Sequence, residues 1–417
     1  MSERITLEER IHFMHLHNRL THRHTLLACY GGYLTQALVI NFPPLLFLTF
    51  QRELGLTLSQ VSSLIAITFV TQLSMDALAS VFMKRVSYRA AAIVAHVFAV
   101  VGMIGMGVLP DILPSPYAGL CIATVLAGVG GGLTEVIISP MVEACPTEDK
   151  SGGMSLLHSF YCWGQMATVL LSTLFFFTVG IEHWRLLAAL WAILPAVVAV
   201  AFCLVPVYRL EADESAAAVA QSPVDRWRSR TLLLLFFVMM ICAGAAEQAM
   251  SQWASSFAEA ALGVDKTLGD ILGPCAFALM MALSRTYYGM RSDRVNLARL
   301  STYSCVLCIV SYLMAALSPW PIFSLIGCGL CGLSVGILWP GTYSRASVQL
   351  SGCGVTTFAL LALGGDIGCL TGPAIAGWIA DAFGGELRYA FLFALLFPIV
   401  GVVVSVVLDR RARKGNP

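Results

Sequence analysis

The sequence predicts an all-α membrane protein in which twelve transmembrane helices form two pseudo-symmetric six-helix bundles. Hydrophobic residues occupy 58% of the 417 positions and charged residues only 12%, and the mean hydropathy is +0.80. Soluble chains are nearer half apolar and a quarter charged. Apolar stretches long enough to cross a bilayer divide six and six around one polar segment.

The predicted spans follow one another with short connections. We predict them at residues 25–49, 58–82, 89–109, 117–143, 152–179, 183–207, 231–259, 268–290, 298–317, 322–349, 353–382 and 387–408. The long polar interruption is YRLEADESAAAVAQSPVDRWRSR. The predicted domains are therefore an N-terminal tail (1–24), a first six-helix bundle (25–207), a linker (208–230), a second six-helix bundle (231–408) and a C-terminal tail (409–417).

Positive charge sets the predicted orientation and excludes one class of partner. With both termini inside, most of the 25 Lys and Arg residues fall in cytoplasmic segments, as the positive-inside rule requires. We therefore expect an integral protein of the cell (inner or plasma) membrane with cytoplasmic termini, tails and linker. The net charge of +1 leaves no basic face for phosphates, so nucleic acid is not an expected partner.

No sequence pattern indicates an enzyme or a bound cofactor. Neither a nucleophile–base pair nor a metal-ligand set stands out, so we expect no enzymatic activity, no cofactor and no metal site. A nucleotide-binding loop of the GxxxxGK[ST] kind does not occur. Active transport would then depend on an ion gradient. The expected partners are the lipid bilayer, a small-molecule solute and protons, and we expect a monomer.

Ionisable residues inside apolar spans are candidates for function, because each is costly in hydrocarbon unless it is paired or hydrated. Glu135 interrupts the apolar run GVGGGLTEVIISP, and Glu247 and Asp366 lie near the middle of their spans. Carboxylates in apolar surroundings take up protons readily, so these three are candidates for proton coupling, with Glu135 first. Glu135 and Arg285 both lie nearer the cytoplasmic ends, which makes them a candidate charge pair. The alternative for each of these ionisable residues is a hydrated helix end or a structural hydrogen bond.

Polar side chains recur at helical spacing in several spans. In AGAAEQAMSQWASSF (243–257), a carboxylate, two amides and two hydroxyls recur every four residues and form one wide face that must line protein or water. Trp253 beside this face is either an interfacial anchor or a platform for a sugar ring. With similar stripes elsewhere, the predicted solute-binding residues are Gln36, Asn41, His158, Tyr161, Trp163, Gln165, Gln248, Ser251, Gln252, Trp253, Trp339 and Tyr343.

Two short repeats relate the halves of the chain. The loops after spans 2 and 8 contain SVFMKRVSYR (80–89) and GMRSDRVNLAR (289–299), and spans 4 and 10 contain GGLTEVIISP (131–140) and CGLSVGILWP (331–340). With these motifs, the whole chain resembles the major facilitator superfamily. The polar and acidic residues of spans 4 and 7 are most similar to the fucose and related sugar–proton symporters. The resemblance implies two bundles that alternate around a central site.

The resemblance also implies a cytoplasmic gate in the loop after span 8. Asp293, Arg294 and Arg299 keep much of the family's loop signature. By this resemblance, Asp293 approaches the helix N-terminus near Ser151, where the helix dipole favours a carboxylate. Lys84 stands at the equivalent position of the first half and cannot play that role.

Together these features predict a secondary active transporter that works by alternating access, in proton-coupled symport of a neutral polar solute such as a sugar. Amides and carboxylates bind hydroxyl groups, and aromatic rings stack on apolar sugar faces. Proton-antiport efflux of amphipathic compounds is one alternative, and a non-transporting membrane sensor is another. The efflux signature is missing from span 5; GCLTGPAIAG (368–377) resembles it, but its glycines more simply allow close helix packing.

Overall fold

The computed structural model describes residues 20–82, 86–146, 150–208, 223–291, 296–350 and 355–414. Every regular element in these ranges is a helix, and twelve of the helical spans are long and apolar enough to cross a membrane. Each predicted span coincides with one of them, so the predicted fold class is confirmed. Most of the predicted N-terminal tail and of the predicted linker lies outside the described residues.

The helices are numbered along the chain, and several are made of two or three consecutive segments. The first bundle contains α1 (His22–Asn41, Pro43–Leu46 and Phe47–Leu54), α2 (Leu58–Phe82), α3 (Tyr88–Ile112), α4 (Pro116–Ala144), α5 (Lys150–Val179) and α6 (Ile181–His183, Trp184–Trp191 and Ile193–Leu204). The second bundle contains α7 (Pro223–Ser256 and Phe257–Ala261), α8 (Lys266–Asp270, Ile271–Cys275 and Ala276–Arg291), α9 (Leu297–Leu317), α10 (Pro321–Val335 and Leu338–Gln349), α11 (Val355–Ala382) and α12 (Leu387–Ala394 and Leu396–Lys414).

Proline interrupts α1 and α10 and frees a backbone carbonyl in each. Proline has no N–H, so the carbonyl four residues before it loses its usual helical partner. In α1, Pro44 does this to Ile40, and the helix continues as a 3₁₀ turn. In α10, Pro340 does the same to Gly336, and the helix breaks there. Both freed carbonyls bind side chains from other helices.

Glycines bring neighbouring helices of each bundle into close contact. A Cβ atom added at Gly130 of α4 would lie 2.7 Å from the Ala95 carbonyl oxygen of α3. A Cβ added at Gly372 of α11 would lie 2.5 Å from the Ala245 carbonyl oxygen of α7. No side chain fits at these distances. The packing role predicted for the glycines in span 11 is therefore confirmed, and a glycine of α4 has the same role.

The two bundles meet closely on one side of the molecule. We call the side where α1 ends and α2 begins the outer side, after the predicted orientation, and the opposite side the inner side. Near the outer side, Ser62 of α2 lies against Gly377 of α11. The rings of Phe47 (α1) and Trp253 (α7) also pack there, with their centroids 5.3 Å apart. These contacts close the outer side between the bundles.

Candidate functional site

The polar face predicted for α7 is buried between helices of both bundles. Glu247, Gln248, Ser251, Gln252 and Ser255 are all buried. Their four-residue spacing places them on one side of the helix, so they share their surroundings. The prediction that this face lines protein or water, and not lipid, is confirmed.

A chain of amide and hydroxyl groups joins α7 to α1 and α5. Gln165 Nε2 donates to Ser251 Oγ at 2.8 Å, and Ser251 Oγ donates to Asn41 Oδ1 at 3.5 Å. Asn41 Nδ2 in turn donates to the Tyr161 hydroxyl at 3.4 Å. Four of the predicted solute-binding residues are thus brought together. Because Ser251 belongs to the second bundle and the others to the first, this chain crosses the boundary between the bundles.

The carbonyl that Pro44 frees in α1 accepts a hydrogen bond from α7. Gln252 Nε2 donates to the Ile40 carbonyl oxygen at 3.4 Å and to Gln248 Oε1 at 3.2 Å. A buried carbonyl without a partner would be unfavourable, so this contact replaces the hydrogen bond that the Ile40 carbonyl loses at the break in α1. It also fixes the orientation of Gln252, another predicted solute-binding residue.

Arg285 of α8 binds groups from three other helices. Its Nη2 atom lies 3.2 Å from Glu247 Oε2 of α7, and the two side chains are only 15% and 5% exposed. Its Nε donates to the Gly336 carbonyl oxygen at 3.3 Å, and its Nη1 donates to Cys162 Sγ of α5 at 3.3 Å. The Gly336 carbonyl is the one freed by Pro340. Arg285 thus connects α5, α7 and α10 in the interior of the protein.

Glu135 is half-buried on the inner half of α4, where α1 holds it. Gln36 Nε2 donates to Glu135 Oε2 at 2.6 Å. Glu135 also interacts electrostatically with Tyr33 of α1 and Tyr343 of α10. Arg285 binds Glu247 in this structure, and its pairing with Glu135 stays a prediction.

The central residues become more accessible toward the inner side. His158 of α5 is exposed, although its ring packs edge-on against Tyr33 of α1 at a centroid distance of 5.5 Å. Four further predicted residues on the same side are half-buried: Tyr161, Trp339, Tyr343 and Asp366. With the outer side closed, the site is reached from the inner side in this structure.

Two predicted tryptophans do not join this accessible set. Trp163 is 41% exposed, and helical geometry places it on the face of α5 opposite Gln165. Trp253 is fully buried and donates its indole N–H to the Pro373 carbonyl oxygen at 2.9 Å. Trp253 is therefore not an interfacial anchor, and neither of its faces is open to a solute here.

The predicted cytoplasmic gate falls largely outside the described part of the chain. Asp293 and Arg294 lie in the gap between residues 291 and 296, and the Ser151 side chain also lies outside the description. Arg299 is described and lies exposed in the first turn of α9, where Asn296 caps the helix. The gate stays a prediction.

A buried carboxylate with three hydrogen-bond donors near the outer side is not predicted by the sequence. Asp270 of α8 is 1% exposed and lies 2.9 Å from Lys266 Nζ. It accepts hydrogen bonds from Thr173 of α5 at 3.1 Å and from Ser255 of α7. Asp270 begins a predicted span, where charges are usually hydrated. The only sequence signal is its four-residue spacing from Lys266, which pairs opposite charges on a helix.

Comparisons with known proteins agree with this architecture. Residues 27–354 match the sequence profile of the Major Facilitator Superfamily. The membrane protein MosC of Rhizobium meliloti is 26% identical over 307 residues, which make up 73% of this chain and 71% of MosC.

Two solved structures share the fold. One is a bacterial homolog of the human lysosomal transporter Spinster in an inward-facing and occupied conformation, with a TM-score of 0.74, 13% identity, and coverage of 92% of this chain and 96% of that one. The other is the nucleoside transporter NupG, with a TM-score of 0.70, 12% identity, and coverage of 93% and 99%. At these identities the similarity shows the fold alone.

Proposed function

Because this chain belongs to the major facilitator superfamily and is a secondary transporter, we propose that it carries a neutral polar solute such as a sugar in symport with protons, by alternating access. The main support is the chemistry of the central side chains. They are chiefly amides, hydroxyls and aromatic rings, and the charge of Arg285 is balanced by Glu247. Such a lining binds hydroxyl groups without requiring a charged solute.

Glu135 is our first candidate for the coupled proton. It is half-buried beside the accessible residues of the inner side, so water can deliver a proton to it. Glu247 is a weaker candidate, because a proton there would leave the buried guanidinium of Arg285 without its counter-charge. Asp366 is half-buried on α11 and stays a second candidate.

Transport by purified protein in liposomes tests this proposal. Labelled sugars and nucleosides form the solute panel; nucleosides are included because they are neutral and carry hydroxyl groups, and because NupG is a nucleoside transporter. We expect a proton gradient, and not a sodium gradient, to drive accumulation of at least one member. Liposomes that accumulate none of the panel under either gradient would contradict symport of this solute class.

The Glu135→Gln variant tests the coupling. We expect it to exchange labelled for unlabelled solute across the membrane at equal pH but to lose accumulation driven by the proton gradient. Glu386→Gln, which changes an exposed carboxylate at the start of α12, is the matched control and should behave like the unsubstituted protein. Unimpaired accumulation by Glu135→Gln would exclude Glu135 as the coupling residue.

The same liposomes separate the alternatives. Proton-antiport efflux would appear as solute movement opposite to the proton flux and as resistance of cells to amphipathic compounds on expression. A sensor would bind a solute without moving it. The predicted orientation in the cell membrane, with both termini inside, can be checked by protease access to tags placed at each end of the chain.

A further inference from the structure

The side-chain amide of Gln36 has one atom bonded and one atom without a partner. Its Nε2 donates to Glu135 Oε2 at 2.6 Å. Its Oε1 is buried and accepts no hydrogen bond from the described residues, although the side chain is only 4% exposed. Buried polar atoms are rarely left in this state, because a missing hydrogen bond is costly. The free oxygen is therefore a position that another molecule can satisfy.

The orientation of this amide depends on whether Glu135 carries a proton. An ionised carboxylate can only accept hydrogen bonds, so the NH₂ group of Gln36 must face it. A protonated carboxyl group can donate, and the better partner for its O–H is the amide oxygen. The two ends of an amide are nearly equal in size, so half a turn about the last side-chain bond exchanges them in the same space.

We propose that Gln36 couples proton uptake to solute binding by this half turn. One proton passes from water to the Glu135 carboxylate; the Nε2–H···Oε2 hydrogen bond breaks, and an O–H···Oε1 hydrogen bond replaces it. The atom of Gln36 that points away from Glu135 then changes from an acceptor to a donor. This inference rests on the proposed function, because it requires Glu135 to take up the coupled proton.

The change of donor and acceptor specifies which solute group Gln36 meets. In symport, the protonated transporter must bind the solute more tightly. Since that form offers an N–H group, the solute presents an oxygen acceptor, such as a sugar ring oxygen or hydroxyl lone pair. Trp339 of α10, another predicted solute-binding residue, also has a buried donor, Nε1, that has no partner among the described residues. A mismatched hydrogen bond at this one position should lower the affinity for the solute about tenfold.

Several titratable groups lie on the helices around Glu135, and the experiment must separate them from it. These groups come from the described helices that pack near Glu135. Asp76 of α2 is also titratable, but its side chain lies outside the description. The groups are Tyr33 (α1), His96 (α3), His158 (α5), Tyr343 (α10), and Asp366 and Cys369 (α11). His96 and His158 carry imidazole groups and Asp366 carries a second carboxyl group, so a pH dependence alone does not identify Glu135.

Infrared difference spectroscopy with protons as the probe makes that identification. Purified protein with isotope-labelled glutamine side chains is titrated between alkaline and acidic pH. We expect a carboxyl C=O signal and a shift of a glutamine amide signal with one common midpoint. Both should be lost in Glu135→Gln, and the amide shift alone should be lost in Gln36→Met. Gln72→Met removes a buried amide of α2 that also has an unpartnered atom, and should keep both signals.

Each outcome decides one point. A Glu135 carboxyl signal without an amide shift, or with a shift at a different midpoint, overturns the role of Gln36 and leaves proton uptake by Glu135 intact. No Glu135 carboxyl signal at any pH overturns the proton site of the proposed function and this inference with it. If Gln36→Met does not fold, the comparison of Glu135→Gln with the unsubstituted protein still decides whether the amide follows the proton.

Discussion

Removing only one partner of the Glu247–Arg285 ion pair should destabilise the protein more than removing both charges. The pair is deeply buried, with 5% and 15% of its side chains exposed. Arg285→Gln leaves the Glu247 carboxylate inside the protein with a hydrogen bond from Gln248 at 3.5 Å, and it deprives the Gly336 carbonyl of its donor. Loss of one member of a buried pair typically costs about 3–5 kcal/mol.

The double variant Glu247→Gln/Arg285→Gln removes both charges at once. Its cost is limited to a few hydrogen bonds, each contributing about 1 kcal/mol. The two single variants and the double variant form a cycle, for which we expect an interaction energy of at least about 3 kcal/mol. The assay is the unfolding free energy of the purified proteins in one detergent, with solute exchange as a second measurement.

The matched control is the same cycle built with Glu135→Gln and Arg285→Gln. Because Arg285 binds Glu247 in this structure, we expect the control effects to add within about 0.5 kcal/mol. Additive effects in the Glu247 cycle would refute our reasoning about the ion pair. Strong coupling in the control cycle would instead support the pair of Glu135 and Arg285 that the sequence suggests.

Three further predictions concern the closed outer side and the packing of the helices. Asp270→Asn should loosen the outer side, because the three donors that bind Asp270 lose a charged acceptor. Position 49 lines an outer cavity of about 250 Å³, so an impermeant maleimide should label Thr49→Cys faster when Asp270→Asn is also present. An unchanged labelling rate would contradict this prediction. Gly372→Ala should cost about 1–3 kcal/mol of unfolding free energy through overpacking, whereas Gly329→Ala, whose added Cβ meets nothing nearer than 3.7 Å, should be nearly neutral. Arg52→Gln should change the free energy of unfolding by less than about 1 kcal/mol, because the Arg52 side chain is 67% exposed. A larger loss would contradict this and show that the ion pair with Glu259 stabilises the protein strongly.

Features that depend on a single helix were predictable from the sequence. The wide polar face of α7 follows from the four-residue spacing of its polar residues, and it is buried as expected. The glycines of α11 were expected to allow close packing, and the backbone of α7 lies against Gly372. Both inferences use helical periodicity, which needs no knowledge of the neighbouring helices.

Features that depend on two helices were not predictable in the same way. The partner of Arg285 is decided by how α8 is rotated and how far it is shifted along α7, and no local pattern encodes either quantity. The position of Trp253 is decided by Gly377 of α11, which leaves room for its ring. The sequence does offer one signal of this kind, since Pro44 and Pro340 each free a carbonyl that a side chain from another helix then binds.

The predicted solute-binding residues divide into two sets according to what holds them now. Gln165, Ser251 and Gln252 are buried and bond across the boundary between the bundles, whereas His158 and Tyr343 lie on the accessible inner side. Separation of the bundles on the outer side must break the bonds of the first set. Those amides and hydroxyls then need new partners, and the hydroxyl groups of a sugar can supply them at little net cost. Under the proposed mechanism, the buried residues that bond across the boundary between the bundles are therefore also the residues that first meet the solute when the outer side opens.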